Sequence, residues 1–474
     1  MKNLQQVKPT PEQLKLITIP TPGIRIIKGA AGSGKTTTSL LMLRTALGYL
    51  LDVSREKNDS PTINVKVFSF NRTLAAYVSQ LAKDISLTIK AKPGELNVEV
   101  TTLGKYLNEK ALSKNNIISE VVKSKKIKEL AGCIPLLSDF LIDEVEYVLG
   151  LLLHNDLESY ITIERTGRGI LPRVDHFLRR RILDEVIYPY LKFKSENLLV
   201  DWDDLSVIGS ETVFENIDIA IIDEAQDFSA NQLRSIIKQL SPLSFTIIVL
   251  DSAQRIYKRG FTWKDVGIND SSSFRLERNY RNTIQIASFV KRFIENSSIS
   301  FDNDATLSNI DKITRQGRIP QIVEGRFKYQ MSHIVAYIKD NIDLNSQSIG
   351  FLHPKGGGWF DYIKTILNRE SIDYIEISRT NNWPESSANV ALSTIHSAKG
   401  LEFDFVFIMG LQHSHFIFNE SDSEDINYSS TIRLISMGIT RAKENVIIGY
   451  SSETKPSFIS LFDKITFEAI KYGN

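Results

Sequence analysis

Cysteine is almost missing from this 474-residue chain: a single one, Cys133, which excludes an internal disulfide and any zinc site built on clustered cysteines. An excess of charge of one sign is missing too. The 57 Lys and Arg stand against 56 Asp and Glu, a formal net charge of +1, so a nucleic-acid surface has to be a local patch. No apolar run reaches the roughly 18 residues needed to span a bilayer. The opening MKNLQQVKPTPEQ carries no apolar core of a signal peptide. Internal repeats and low-complexity linkers are absent as well. These absences leave a soluble, cytoplasmic protein with no membrane partner as the expectation. The 42% hydrophobic fraction is that of a globular chain. The length, about three times the ~150-residue domain prior, predicts two to four domains.

Short apolar runs alternate with helical patterns in three stretches, the mark of an α/β fold with parallel sheets. In the first, residues 1–103, IRII (24–27), VKVFSF (65–70) and VEVTTL (98–103) read as strands, and a helix is predicted from Thr36 to Leu50. The second, about 206–280, holds the β-branched runs IDIAIID (217–223) and FTIIVLD (245–251). The third, about 281 to the end, offers IPQIVE (319–324), SIGFLH (348–353), VALST (390–394), FDFVFIMG (403–410) and NVIIGY (445–450). Residues 104–205 differ. LLSDFLIDEVEYVLGLLL (136–153) and RILDEVIYPYLKF (181–193) have a 3.6-residue period and little strand character, which reads as a helical insertion in one α/β domain.

GAAGSGKT (29–36) follows a strand and opens a helix, the context a phosphate-binding loop requires. Glycines let backbone N–H groups turn inward around phosphates at the positive end of the following helix. Gly29, Ala30, Ala31, Gly32, Ser33, Gly34, Lys35, Thr36 and Thr37 form the candidate nucleotide-binding set. Lys35 is the group for the β/γ-phosphates, and the Thr36 hydroxyl is a Mg²⁺ ligand. IIDEAQDF (221–228) supplies a matching acidic element. Asp223 is placed at a strand end to hold the Mg²⁺ shell, and Glu224 to orient or deprotonate an attacking water. The site predicted is one for a nucleoside triphosphate.

Beyond these two elements the chain resembles the UvrD/Rep-type superfamily 1 helicases, in motifs that run in family order from residue 10 to 448. TPEQ (10–13) resembles the Q motif, which implies that Gln13 reads adenine. FSFNRTLAAYV (68–78) and TTL (101–103) resemble strand-contacting segments, with Phe70, Asn71, Arg72 and Thr102 as DNA candidates. DWDDL (201–205) resembles an element shortly before the acidic motif. DSAQRIYKRG (251–260) resembles motif III, with Gln254 a γ-phosphate sensor and Tyr257 on the DNA path; Trp263 lies just beyond. LERNYRNT (276–283) resembles motif IV and carries the arginine finger Arg281. VALSTIHSAKGLEFDFV (390–406) resembles motif V, with Thr394 and His396 on the DNA side and Glu402 on the nucleotide side. MGITRAKENVII (437–448) resembles motif VI, with Arg441 as second finger.

The resemblance implies two tandem RecA-like P-loop domains, 1–103 plus 206–280 and 281–474, with the helical insertion 104–205 in the first. It implies ATP and Mg²⁺ as cofactors, single-stranded DNA as partner, and 3′ to 5′ movement. Arginines supplied from the second domain stabilise charge on the γ-phosphate, so nucleotide in the cleft draws the domains together. The basic runs KSKKIK (123–128), RTGRG (165–169) and RRR (179–181) are candidates for a wall over the strand. Two departures stand out. The stretch between Arg281 and Thr394 has no room for the family's 2B insertion, and SSTIRLISMGITR (429–441) lacks the usual acidic pair. They motivate a second reading, an ATP-gated regulatory subunit with weak unwinding that serves a partner such as a nuclease in repair or anti-phage defence. RNA suits the same stacking and phosphate contacts as DNA.

Overall fold

The structure, a computed structural model, describes residues 9–18, 20–29, 32–56, 62–69, 94–111, 116–164, 173–250, 261–276, 281–299, 310, 313, 315–356, 358–377, 388–398, 401–416 and 426–472. Helix α1 (Pro11–Ile17) begins at a capping box in which the Thr10 and Gln13 side chains each accept the other's backbone N–H. Helix α2 (Lys35–Glu56) follows β1 (Gly23–Gly29). The first sheet continues with β2 (Ile63–Ser69), β3 (Leu96–Thr102), β4 (Ile217–Asp223), β5 (Leu240–Leu250) and β6 (Ser272–Leu276). Its order is β3-β2-β4-β5-β1-β6, and every pairing is parallel.

Parallel sheets are covered on both faces, so their central strands are apolar throughout. Ile219 and Ile221 of β4 pack beneath Leu40, Leu43 and Leu47 of α2. Their neighbours Ala220 and Ile222 point the other way, since side chains alternate along a strand.

Between β3 and β4 the chain is helical: α3 (Leu103–Ala111), α4 (Glu120–Leu130), α5 (Ser138–Leu151), α6 (His176–Arg181), a π-helical turn (Ile182–Ile187), α7 (Tyr188–Glu196) and α8 (Trp202–Glu211). Tyr106 of α3 and Leu205 of α8 join Leu233 of α9 (Ala230–Ile237) on the second face of the sheet. The helices between them form their own core around Ile127, Leu141, Val145, Tyr160, Val186 and Tyr190.

A buried ionic knot joins that core to α8. Lys194 Nζ lies 2.8 Å from Asp201 and 2.7 Å from both Asp204 carboxylate oxygens. Lys123 Nζ lies 3.1 Å from Asp203, and His154 Nε2 3.4 Å from Asp204. DWDDL is thus a helix start whose three carboxylates anchor the helical segment.

The second sheet holds β7 (Gln321–Glu324), β8 (Ile349–His353), β9 (Tyr374–Glu376), β10 (Val390–Thr394), β11 (Phe403–Leu411), β12 (Ala442–Tyr450) and β13 (Glu468–Lys471). Its order is β9-β10-β8-β11-β12-β7-β13, again all parallel. Helices α10 (Ile284–Asn296) and α13 (Ile426–Ile439) cover one face through Phe289, Phe293, Ile432 and Ile435. Helices α11 (Phe327–Asn341) and α12 (Gly358–Arg369) cover the other through Ile334, Ile338, Ile363 and Leu367. The architecture is α/β, parallel sheets flanked by helices, consistent with tandem RecA-like helicase domains. The sequence reading had no strand at β6, β9 or β13. All three are edge strands, short and partly exposed, so their apolar pattern is thin.

Candidate functional site

The first sheet gathers polar residues at the carboxyl ends of its parallel strands, where open α/β sheets bind ligands, and the second sheet does so at both strand ends. In the first, β1 delivers Gly29 and α2 opens at Lys35. Glycine is needed at two points of the intervening loop. A Cβ on Gly29 would lie 2.5 Å from Ser33 Oγ, and Gly34 has φ +79° with Gln13 Nε2 2.7 Å from where its Cβ would stand. Gly32 shares φ +79°. Gly32 and Ser33 are buried, and Thr37 is half-buried in the first turn of α2. Ala30 and Ala31 lie outside the described residues.

Lys35 Nζ donates to the Gly29 carbonyl at 2.7 Å, and Thr36 Oγ1 to Asp223 Oδ2 at 3.2 Å. The loop and the acidic strand end, far apart in sequence, therefore meet. Burial and the neighbouring Glu224 charge push the Asp223 carboxyl up to about 7, against the pull of Thr36 and Lys35. Glu224 holds φ +53°, a left-handed backbone uncommon outside glycine and of the kind that collects at functional turns. Its N–H donates to Asp223 Oδ1, and the Gln226 amide donates to its carboxylate. Gln226 was not singled out from the sequence; the acid–Ala–Gln spacing was the available clue.

Gln13 is buried here, with Nε2 donating to Thr38 Oγ1 at 3.0 Å and to the Gly34 carbonyl at 3.4 Å. Its Oε1 accepts from Thr10 N–H. The Nε2 end of the amide therefore braces the glycine-rich loop, while the Oε1 end caps α1.

At the amino ends of β11 and β12 in the second sheet, the Arg281 guanidinium pairs with the Glu402 carboxylate, and Lys443 Nζ stands 3.3 Å from the same carboxylate. Burial pushes Glu402 up, but the facing Arg281 and Lys443 prevail and hold it down at about 2. Arg441 is buried, its guanidinium donating to the Met437 and Leu401 carbonyls at 3.2 and 3.4 Å.

Of the DNA candidates, Thr102 ends β3 and accepts the Lys105 N–H. Trp263 is half-buried, edge-on to Phe261 at 5.9 Å. Thr394 ends β10 and accepts the Ser397 N–H, with His396 half-buried beside it. Phe70, Asn71, Arg72, Gln254 and Tyr257 lie outside the described residues. Opposite Thr394 in the sheet, His353 is buried at the end of β8, where its Nδ1 accepts the Gly356 N–H at 2.9 Å and its ring stacks on Trp359.

The basic runs have partners within the chain where they are described. Lys123 is buried against Asp203, and Lys126 and Lys128 pair with Glu129 and Asp139. Arg179 donates to the Tyr160, Ile161 and Ile163 carbonyls, while Arg180 and Arg181 pair with Glu158 and Glu185. Lys123 and Arg179 are thus engaged inside the fold and the others in ion pairs at the surface, with partners on remote or adjacent turns that a run of basic letters does not reveal. RTGRG lies outside the described residues.

Thr36 and Asp223 present only oxygen ligands, a hydroxyl and a carboxylate, which suits a hard cation such as Mg²⁺ completed by water and phosphate. Among the described residues no group of three or more His, Cys, Asp or Glu is arranged for a metal, and no helix is long and apolar enough to cross a membrane.

Residues 358–453 match the family model of the UvrD-like helicase C-terminal domain. Over 59 residues, 12% of this chain, the sequence is 41% identical to ATP-dependent DNA helicase PcrA of Bacillus subtilis (strain 168), covering 8% of that protein. Over 73 residues, 15% of this chain, it is 36% identical to DNA helicase II of Escherichia coli (strain K12), covering 10%. The matched segments thus span about a tenth of the curated relatives' length. The solved C-terminal domain of a possible DNA helicase from Lactobacillus plantarum WCFS1 aligns with 40% of this chain and 98% of its own, at 17% identity and a TM-score of 0.29. In these segments the chain is similar to UvrD/Rep-type DNA helicases, and its residues 358–453 match the UvrD-like helicase C-terminal domain.

Proposed function

We propose that this chain is an ATP-dependent, Mg²⁺-requiring DNA helicase or translocase that moves 3′ to 5′ on single-stranded DNA. Its parts are two RecA-like domains, 1–103 plus 206–280 and 281–474, and the insertion 104–205. The observation that carries the reading is the meeting of Lys35, Thr36, Asp223 and Glu224 at the carboxyl edge of a parallel sheet.

Lys35 is poised to leave the Gly29 carbonyl for the β/γ-phosphates of ATP, exchanging a neutral acceptor for charged ones. Thr36 and Asp223 would hold Mg²⁺, which when bound neutralises charge on the phosphate oxygens. Glu224, fixed by Gln226, is the base that orients and deprotonates water. Arg281, held by Glu402, and Arg441 are the γ-phosphate sensors, joined by Gln254. Nucleotide gives Arg281 a stronger anion than the Glu402 carboxylate, and that exchange closes one domain on the other. A strand across the carboxyl edges would meet Thr102, Trp263, Thr394 and His396.

The test is ATP hydrolysis by the purified chain with and without single-stranded DNA, with Lys35→Ala as blank. Lys35-dependent hydrolysis that the strand stimulates is expected. Hydrolysis unaffected by Lys35→Ala overturns the site. Lys35-dependent hydrolysis indifferent to DNA favours the regulatory-subunit reading, and matched DNA and RNA oligonucleotides decide between polymers.

A further inference from the structure

Helix α9 begins five residues after the Glu224–Ala225 step and carries two side chains, Asn231 and Arg234, that belong to neither group above. Asn231 Nδ2 donates to the Leu149 and Leu152 carbonyls at 2.8 and 2.9 Å, and Arg234 Nη1 donates to the Leu151 carbonyl at 2.6 Å. These are terminal carbonyls of α5, which have no partner within their own helix. Gly150 allows the approach: a Cβ there would stand 3.0 Å from that of Ser229, the residue that caps α9.

The same Arg234 guanidinium reaches a third element. Its Nε donates to the Asp265 carbonyl at 2.7 Å, in the turn that carries Trp263. That turn otherwise packs Val266, Ile268, Phe261 and Trp263 on the core of the first sheet, and its polar bonds are largely to itself. Thr262 N–H donates to Asp265 Oδ2, Ile268 N–H to the Trp263 carbonyl, and Gly267 has φ +82°. Thr262, Lys264 and Asp265 are exposed, and only Val266 and Ile268 are buried. One planar fork therefore ties the Trp263 turn to the end of α5 and to α9. The other end of α9 continues directly into the Glu224 turn, where Asp227 N–H donates to the Glu224 carbonyl at 3.0 Å.

We propose that Arg234 is a positioning residue. It fixes the Trp263 turn against α9 and the helical insertion, so that a nucleic-acid strand lying on Trp263 is registered with the carboxylate at Glu224. The assignment rests on the reading of Trp263 as a strand contact. Asn231 secures the α5 end and accepts an N–H from Arg234 Nη1, but does not itself reach the Trp263 turn, and it serves as the comparison. A lysine offers a compact ammonium in place of a fork and cannot present two fixed N–H groups to two carbonyls.

The experiment compares the full chain with Arg234→Met, Arg234→Lys and Asn231→Ala in three measurements. Backbone hydrogen exchange of residues 261–268 without DNA is expected to speed up about tenfold in Arg234→Met and less in Arg234→Lys. The oligonucleotide concentration for half-maximal stimulation of hydrolysis is expected to rise about tenfold in Arg234→Met, while unstimulated turnover and KM for ATP stay within twofold. Asn231→Ala is expected to lower the unfolding midpoint without shifting that concentration. Unchanged exchange in both Arg234 variants overturns the positioning role, whatever the chain does with DNA. Faster exchange with an unshifted strand requirement overturns the link to the strand. Equal loss of stimulated and unstimulated turnover reduces Arg234 to a fold contact and also overturns it. A wild-type chain that ignores DNA defeats the helicase reading and the strand link together, leaving the exchange result to decide the positioning alone.

Discussion

Lys194→Met should be the most damaging single change outside the nucleotide site. Lys194, Asp201 and Asp204 are nearly inaccessible, with side-chain exposures of 4%, 1% and 12%. Asp201 keeps the Tyr190 hydroxyl and the Asp203 and Asp204 N–H groups when the ammonium is gone. Asp204 keeps the Asp201 N–H and His154 alone. Removing one partner of a buried ion pair costs about 3–5 kcal/mol, since the other charge is left desolvated. Burial and the Asp201 charge already push the Asp204 carboxyl up, against Lys194. Without Lys194 only the Asp201 N–H is left to oppose that rise, and protonation becomes the relief. A carboxyl raised in the fold is destabilising once pH climbs through its folded pKa, so the deficit is full at pH 7 and shrinks as pH falls toward 4. Urea unfolding followed by circular dichroism and by tryptophan fluorescence measures it. Lys194→Met/Asp204→Asn should recover about 2 kcal/mol of the loss in the double-mutant cycle. A variant within about 1 kcal/mol of wild type at pH 7, or a deficit that grows in acid, refutes the reasoning.

Asp223→Asn and Glu224→Gln should each retain nucleotide binding and lose about a thousandfold or more in turnover, ~4 kcal/mol of barrier; full hydrolysis by either removes the acidic element from the site. Gln13→Ala deletes the bonds to Thr38 and Gly34 that brace the phosphate loop. At about 0.5–1.5 kcal/mol each, the loss of affinity should be about tenfold and equal for ATP and GTP; a loss confined to adenine nucleotides shows that the amide reads the base. Burial, helped by His415 and Lys355, pushes the His353 imidazole down to about 3. A histidine depressed in the fold contributes stability that is complete above its unfolded pKa and fades as pH falls, by about 2 kcal/mol between pH 6.5 and 5. His353→Asn, which keeps an acceptor for the turn, should flatten that slope in paired unfolding curves at pH 7 and 5, and parallel slopes count against the buried neutral ring.

What could be read from sequence followed burial. The strands buried on both faces, such as IDIAIID and FTIIVLD, announce themselves as unbroken β-branched runs. The edge strands β6, β9 and β13 do not, because half their surface is wet. The approach of the glycine-rich loop to Asp223 was legible, since glycine, lysine and a carboxylate at a strand end have few other uses there. The engagement of the Gln13 amide by Gly34 and Thr38, and the burial of Arg441 against backbone carbonyls, were not. Both depend on where remote backbone passes, which residue type and spacing leave open. Lys123 makes the same point: a member of a basic run lies buried because its partner is Asp203, on another helix.

The all-parallel order of the first sheet also sets a timetable for synthesis. β1 ends at Gly29, yet its two neighbours in the sheet begin at Leu240 and Ser272. At about 5–20 residues per second the ribosome needs on the order of 10–40 s to supply them. Through that interval the phosphate loop emerges attached to a strand with no partner on either side, while the helical segment, whose core draws on its own contiguous residues, can close first. The nascent nucleotide site is therefore an aggregation-prone edge until the last two strands of its sheet arrive, and slowing translation before residue 240 should lower the soluble yield of the chain more than slowing it after residue 276.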